Sequence, residues 1–328
     1  MNLTEKFIEQ AKLRPARIVY PEGHEIRILS AASKAKVLGI AHPVILGKEE
    51  EVKKIARENG INLDGIPIMS VTECAQVEKY ADVYAESRKV PLPVAKKVVQ
   101  KPLCFAGMMV RMGDADGTVC GAASTTAAVI SAASLTIGFA EGLSTPSSFF
   151  IMVVREHLGV KDKPFIFADC AVNIDPTPRQ LAEIAIASAQ SAVALLGIEP
   201  RIAFLSFSTK GSASHAMVDK VVEAVRIARE LAPELLIDGE LQGDAAVNPI
   251  VASKKVKESK VAGSANVLIF PDLNAGNICY KLVQHLGGAV ALGPVLQGFA
   301  KPVSDLSRGA TVDDIVGVTA ITVLRVRK

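Results

Sequence analysis

The stretch RIVYPEGHEIRILSAASKAKVLGIAHPVIL, residues 17–46, sets the fold class of the 328-residue chain. Arg17-Ile-Val-Tyr20 is a short aliphatic run that reads as a strand. Residues 26–38 carry apolar side chains at helical spacing, and Pro43-Val-Ile-Leu46 reads as a second strand. Strand, helix and strand in that order make a βαβ unit, which implies parallel pairing. A charged helix over residues 48–59 follows. The alternation continues downstream, with strands predicted at 105–110, 149–154, 165–168, 202–206, 235–237, 267–270 and 289–292 and helices at 177–196 and 214–231.

The fold class is therefore α/β with mostly parallel sheets. The chain is long for one core, so two domains are expected, and residues 142–148, Gly-Leu-Ser-Thr-Pro-Ser-Ser, are the best boundary. Hydrophobic residues are 49%, aromatics 5% and tryptophan absent, so the core must be aliphatic, as suits buried parallel strands. Lysine and arginine number 37 against 34 acidic residues, and no basic block is interleaved with aromatics, which argues against a nucleic-acid binder. The five cysteines, at 74, 104, 120, 170 and 279, form no Cys-x-x-Cys, so reduced thiols in a cytoplasmic protein are expected. The N-terminal residues read as an amphipathic helix rather than a signal peptide, and no apolar run has membrane-spanning length.

Parallel α/β sheets place ligands at the carboxyl ends of their strands. Three polar loops are read as following strands: residues 111–117, 206–212 and 271–277. No Gly-x-Gly-x-x-Gly, Walker A, His-Glu-x-x-His or Gly-x-Ser-x-Gly motif is present. Asp114-Ala-Asp116-Gly117 opens like a calcium loop, but Thr125 stands where the bidentate glutamate belongs. Ser214, His215 and Asp219 do not make a triad, because neighbours on a helix point in different directions.

Asp305-Leu-Ser-Arg-Gly-Ala-Thr-Val-Asp-Asp-Ile315 is the most informative segment. Thr311 to Asp314 has the spacing of a capping box at a helix start. Two roles are open to Asp314: it caps its own helix, or it accepts a proton. Ser307, Arg308 and the free N–H groups of the helix start suit a phosphate, which a carboxylate would repel. Asn274, Asn277 and Lys281 follow another strand and could face a ligand, or Asn277 could cap a helix. Lys255 sits in a lysine-rich stretch that reads as a solvated face, and nothing local distinguishes Arg88 from a surface arginine.

These segments resemble the phosphate acetyltransferases (phosphotransacetylases) and, more distantly, the phosphate butyryltransferases. The strongest stretch is residues 261–277, continuing through Tyr280-Lys281, Gly293-Pro294, Gln297-Gly298 and Lys301-Pro302 to Asp305-Leu-Ser-Arg-Gly309. Earlier matches are residues 108–117, 208–212 and 238–242. The resemblance implies two α/β/α three-layer domains with an interdomain cleft, in a cytoplasmic homodimer of acetate metabolism. It implies one domain of residues 1–145 plus 308–328 and a second of 146–307. Ser307, Arg308 and Asp314 fall on the family's catalytic positions, and Arg88, Lys255 and Lys281 on its binding positions. Asn274 and Asn277 join the substrate-binding set. Ser131 stands where the family commonly carries an arginine. The implied ligands are coenzyme A or acetyl-CoA, acetyl phosphate and inorganic phosphate. No permanent cofactor, metal, nucleic acid or membrane is implied.

The resemblance also implies direct attack of the CoA thiolate on acyl phosphate, with Asp314 as base; an aspartate is a poor match for a thiol, so Asp314 is expected to be partly desolvated in the closed cleft. Alternatives are a butyryltransferase-like enzyme, an NAD-dependent decarboxylating dehydrogenase of similar layout, and a non-catalytic acyl-CoA sensor suggested by Ser131.

Overall fold

The computed structural model describes residues 2–326. The chain forms two compact units. One takes the chain up to Glu141 and again from Phe299; the other is Gly142–Gly298.

The first unit runs α1 (Leu3–Lys12), β1 (Ala16–Tyr20), α2 (Ile26–Val37), β2 (Ala41–Leu46), α3 (Glu49–Glu58), β3 (Ile68–Met69), α4 (Gln76–Arg88), α5 (Leu92–Val99), α6 (Pro102–Met112), β4 (Gly117–Cys120) and α7 (Thr126–Thr136). The second runs β5 (Ser147–His157), β6 (Val160–Ala168), α8 (Pro178–Leu196), β7 (Arg201–Leu205), α9 (Ala216–Leu231), β8 (Leu236–Leu241), α10 (Gly243–Val247), α11 (Pro249–Lys255), β9 (Val267–Ile269), α12 (Leu273–His285) and β10 (Val290–Gln297). The chain then returns to the first unit with β11 (Val303–Asp305) and α13 (Val312–Leu324).

The first sheet has the order β11-β4-β1-β2-β3, and every neighbouring pair is parallel. Ile18, Val19 and Tyr20 of β1 are fully buried at its centre. Helix α13 lies against this sheet and is buried on nearly all sides. Its two buried hydroxyls explain how an apolar helix tolerates threonine. Thr319 donates to the Ile315 carbonyl at 2.8 Å and so accepts from the Tyr20 hydroxyl at 2.8 Å. Thr322 does the same with the Val318 carbonyl and Ser304.

The second sheet has the order β10-β5-β6-β9-β7-β8. Its β6, β9, β7 and β8 are parallel neighbours, and β5 and β10 add an antiparallel edge. Leu158 and Gly159 both have positive φ, 52° and 77°, which is the backbone a two-residue hairpin needs between β5 and β6. Phe150, Met152, Phe165, Phe167, Leu205 and Leu268 build its aliphatic and aromatic core.

One expectation is corrected. Residues 105–110, read as a strand, lie inside α6. Pro102 starts that helix and Gly113, at φ 80°, ends it, but residues 104–110 are all buried and the periodic signal is lost. The strand is Gly117–Cys120 instead, so residues 111–117 lead into a strand rather than out of one. The compact units divide at 141/142 and 298/299, and β11 joins the first through its pairing with β4 in register Val303–Thr118 to Asp305–Cys120.

Among the described residues, no helix is long and apolar enough to cross a membrane, and no three His, Cys, Asp or Glu come together to hold a metal ion.

Candidate active site

Strands β1, β4 and β11 are parallel neighbours, so their carboxyl ends open on one edge of the first sheet. Each runs into a loop that starts a helix: α2 after β1, α7 after β4, α13 after β11. Glu25, Thr125 and Thr311 cap the three helices, accepting N–H groups from Arg27, Ala128 and Asp314.

The three loops are laced together by two charged side chains that sequence reasoning missed. Glu22, 3% exposed, accepts the N–H groups of Gly121, Ala122 and Ala123 at 3.0, 2.9 and 3.1 Å. Arg27 pairs with Glu25 and donates to the carbonyls of Arg308 (2.8 Å), Ala310 (2.9 Å) and Ala122 (3.2 Å). The Arg27 guanidinium holds the Glu25 carboxyl below its ordinary range. The available signal was position: residues 21–25 form the first polar loop after the first strand.

Arg27 thus fixes the backbone of the turn that presents Ser307 and Arg308, both exposed. Ser307 Oγ accepts the Gly309 N–H at 3.2 Å. Asp314, one helical turn on, is also exposed rather than desolvated. Its Oδ2 accepts the Thr311 N–H at 2.9 Å and the Thr311 hydroxyl at 2.7 Å. The capping role is therefore real, and it uses one oxygen. Oδ1 has no hydrogen bond among the described residues, so the same carboxylate retains a free acceptor.

Arg88 and Ser131 belong to the same unit. Arg88 ends α4 and donates to the carbonyls of Ser134 and Leu135 in the last turn of α7. Ser131 is exposed in the middle of α7. The rejected calcium loop is spent on structure: Asp116 accepts the Arg17 N–H at 2.7 Å, and Asp114 the Tyr80 hydroxyl at 2.6 Å.

In the second unit, Asp272 rather than Asn277 caps α12, because the helix begins five residues earlier than that role requires. Asn277 instead donates to the Cys170 carbonyl at 3.0 Å, tying α12 to the loop after β6. Asn274 and Lys281 are exposed on the same helix, and the Lys281 ammonium stands 5.6 Å from the Tyr280 ring centroid. Lys255, at the end of α11, donates to Gln242 and Asp244, each at 2.9 Å, and holds the Asp244 carboxyl below its usual range. Gln242 is itself braced by Thr209, which takes its N–H at 2.9 Å. Lys255 is thus exposed, as a solvated face requires, and leans on the residues just after β8. His215 is the cap of α9, accepting the Met217 N–H at 3.2 Å.

Residues 2–323 match the family model described as phosphate acetyl/butaryl transferase. The phosphate acetyltransferase of Thermoanaerobacterium thermosaccharolyticum is 47% identical over 328 residues, covering 99% of this chain and 99% of that protein. That of Acetivibrio thermocellus is 44% identical, covering 99% and 98%. Among solved structures, a phosphotransacetylase from Streptococcus pyogenes superposes with a TM-score of 0.92 at 42% identity, covering 99% of this chain and 98% of that one. A branched-chain phosphotransacylase from Enterococcus faecalis, at 19% identity and a TM-score of 0.66, shares the fold.

Proposed function

Since the chain belongs to the phosphate acetyl/butaryl transferase family and is an acyltransferase, we propose that it moves an acetyl group reversibly between coenzyme A and inorganic phosphate, with Asp314 as base and Ser307 and Arg308 on the reacting groups. The observation that carries this reading is the β11–α13 turn. It exposes a hydroxyl, a guanidinium and a carboxylate with one free oxygen at a single helix start, on a backbone braced by Arg27.

In the direction of acetyl-CoA synthesis, the thiol proton passes to Asp314 Oδ1 and the sulfur attacks the carbonyl carbon of acetyl phosphate. The C–S bond forms as the C–O bond to phosphorus breaks, and phosphate leaves with the electron pair of that bond. A thiol near pKa 8.5 is only a few per cent thiolate at neutral pH, so a positioned base has work to do. Such a base contributes about 10²- to 10⁴-fold. An exposed aspartate is too weak a base for a thiol, so substrate must strip water from Asp314 as it binds. Arg308 offsets charge growing on the carbonyl oxygen and the leaving phosphate, a role worth about 3 kcal/mol in comparable sites. Ser307 donates to the thiol sulfur or a phosphate oxygen. The substrate-binding roles of Arg88, Lys255 and Lys281, and the effect of Ser131, rest on their match to family positions, and those of Asn274 and Asn277 on their place after a strand.

The test is thioester absorbance with coenzyme A and, side by side, acetyl, propionyl and butyryl phosphate. Preference for acetyl supports the reading. A preference of tenfold or more for butyryl moves the chain to the butyryl branch, and no turnover with any of the three overturns the reaction.

A further inference from the structure

Asp305 ends β11 two residues before Ser307 and is 4% exposed. Its Oδ2 accepts the Thr126 hydroxyl at 2.5 Å, while Oδ1 is buried with no hydrogen-bond partner among the described residues. A Cβ on Gly121 would collide with that Oδ1, so the glycine leaves the room the carboxyl occupies. The next residue, Leu306, donates its N–H to the Cys120 carbonyl at 2.7 Å. Asp305 and Leu306 are therefore the anchor from which the turn carrying Ser307 and Arg308 departs.

Among the described residues, the Thr126 hydroxyl is the one group that hydrogen-bonds the Asp305 carboxyl. From the end of β1 comes the Glu22 carboxyl, which accepts three backbone N–H groups. From β4 comes the Cys120 thiol, pushed up by its own burial. From α7 comes only the Thr126 hydroxyl. Arg27 on α2 is committed to Glu25 and three carbonyls, and α13 meets β11 through the neutral Ser304–Thr322 pair. A buried carboxylate with an unpaired oxygen and a second carboxyl nearby is costly, and the neutral acid costs less.

We propose that Asp305 is a positioning residue whose neutral form anchors the Ser307–Arg308 turn, and that loss of its proton loosens that turn. Burial, with the Glu22 charge in addition, raises the Asp305 carboxyl to about 6 against the pull of the Thr126 bond. The proposal rests on Ser307 and Arg308 being catalytic in the acetyl transfer above.

Two measurements on the full chain test it. Carboxyl-labelled aspartate followed by NMR should show one carboxyl titrating above about pH 5 that vanishes in Asp305→Asn. The absence of such a carboxyl overturns the proposal, whatever the activity. In the acetyl phosphate assay, Asp305→Ala should lower kcat by about tenfold or more, the cost of a loosened site. Asp305→Asn should recover most of that loss, and its kcat relative to wild type should rise about threefold or more from pH 5.5 to pH 8. An Asn variant as impaired as the Ala variant, or a flat ratio, overturns it. Should Asp305→Ala not fold, the Asn ratio and the NMR titration still decide. A wild type with no acetyl transfer sinks the reaction assignment instead, and the titration still decides on Asp305.

Discussion

Thr311 and Asp314 hold each other at the start of α13. Thr311 gives its N–H and its hydroxyl to Asp314 Oδ2 and takes the Asp314 N–H at 3.2 Å in return. The cap and the proposed base share one carboxylate but use different oxygens. Asp314→Asn keeps a carbonyl oxygen for the cap, so thermal unfolding should move by less than about 1 kcal/mol. The same change should cost about 10²- to 10⁴-fold in kcat. Activity within a few-fold of wild type would reduce Asp314 to a helix cap.

Arg27 should prove as sensitive as a residue that touches substrate. Arg27→Met removes donors from three carbonyls in two loops, which should destabilise the first unit by about 2–3 kcal/mol in urea. Lysine should not restore it, because a point charge cannot span that fork. In a double-mutant cycle, Arg27→Met should cost far less kcat in an Arg308→Ala background than in wild type. Simple additivity would show that Arg27 does not act through the turn.

Stability should fall with rising pH over a window set by Asp305. Its folded carboxyl titrates at about 6, above the roughly 3.9 of an unfolded aspartate. The folded chain therefore binds the extra proton between those values. The stabilisation is full below about pH 3.9 and is lost as pH rises through about 6. Asp305→Asn should remove that component, making the variant more stable than wild type at pH 8 by on the order of 2 kcal/mol. Calorimetry at a series of pH values checks it, and parallel curves for the two chains would refute it.

Gly276 should tolerate no side chain. A Cβ there would collide with the Asp169 carbonyl oxygen, so Gly276→Ala must push α12 off the loop after β6 and break the Asn277–Cys170 bond. A loss of about 2–3 kcal/mol in urea unfolding is expected.

Ser131→Arg restores the cation the family commonly carries. Because Ser131 is exposed on α7, the longer side chain has room, and stability should change by less than about 0.5 kcal/mol. The KM for coenzyme A should fall by about tenfold, in line with a charge-assisted bond of roughly 1.5 kcal/mol. An unchanged KM would show that no anionic group of coenzyme A comes within its reach.

The two mostly parallel sheets were legible because β1, β2, β7 and β9 are aliphatic runs flanked by helical patterns. The reading failed at α6, where burial on every side makes a helix look like a strand. It also missed β11, whose three residues carry no periodic signal and are a strand only because β4 is there to pair with. Ser307, Arg308 and Asp314 stood out as a local motif. Glu22, Arg27 and Thr126 did not, because the loops they brace lie between 95 and 283 positions away along the chain. Local sequence announces groups that act from their own turn. It is silent on groups that brace another one.

The return of the chain to β4 has a consequence for synthesis. On the ribosome, residues up to 141 emerge with β4 as an open edge, and its partner β11 arrives only after the whole second unit has been made. At about 5–20 residues per second that delay is roughly ten to thirty seconds. The uninterrupted second unit is therefore the first that can finish folding, and the nascent first unit carries an unpaired strand throughout that interval. Chaperone demand during translation should concentrate there, on the part of the chain made first and completed last.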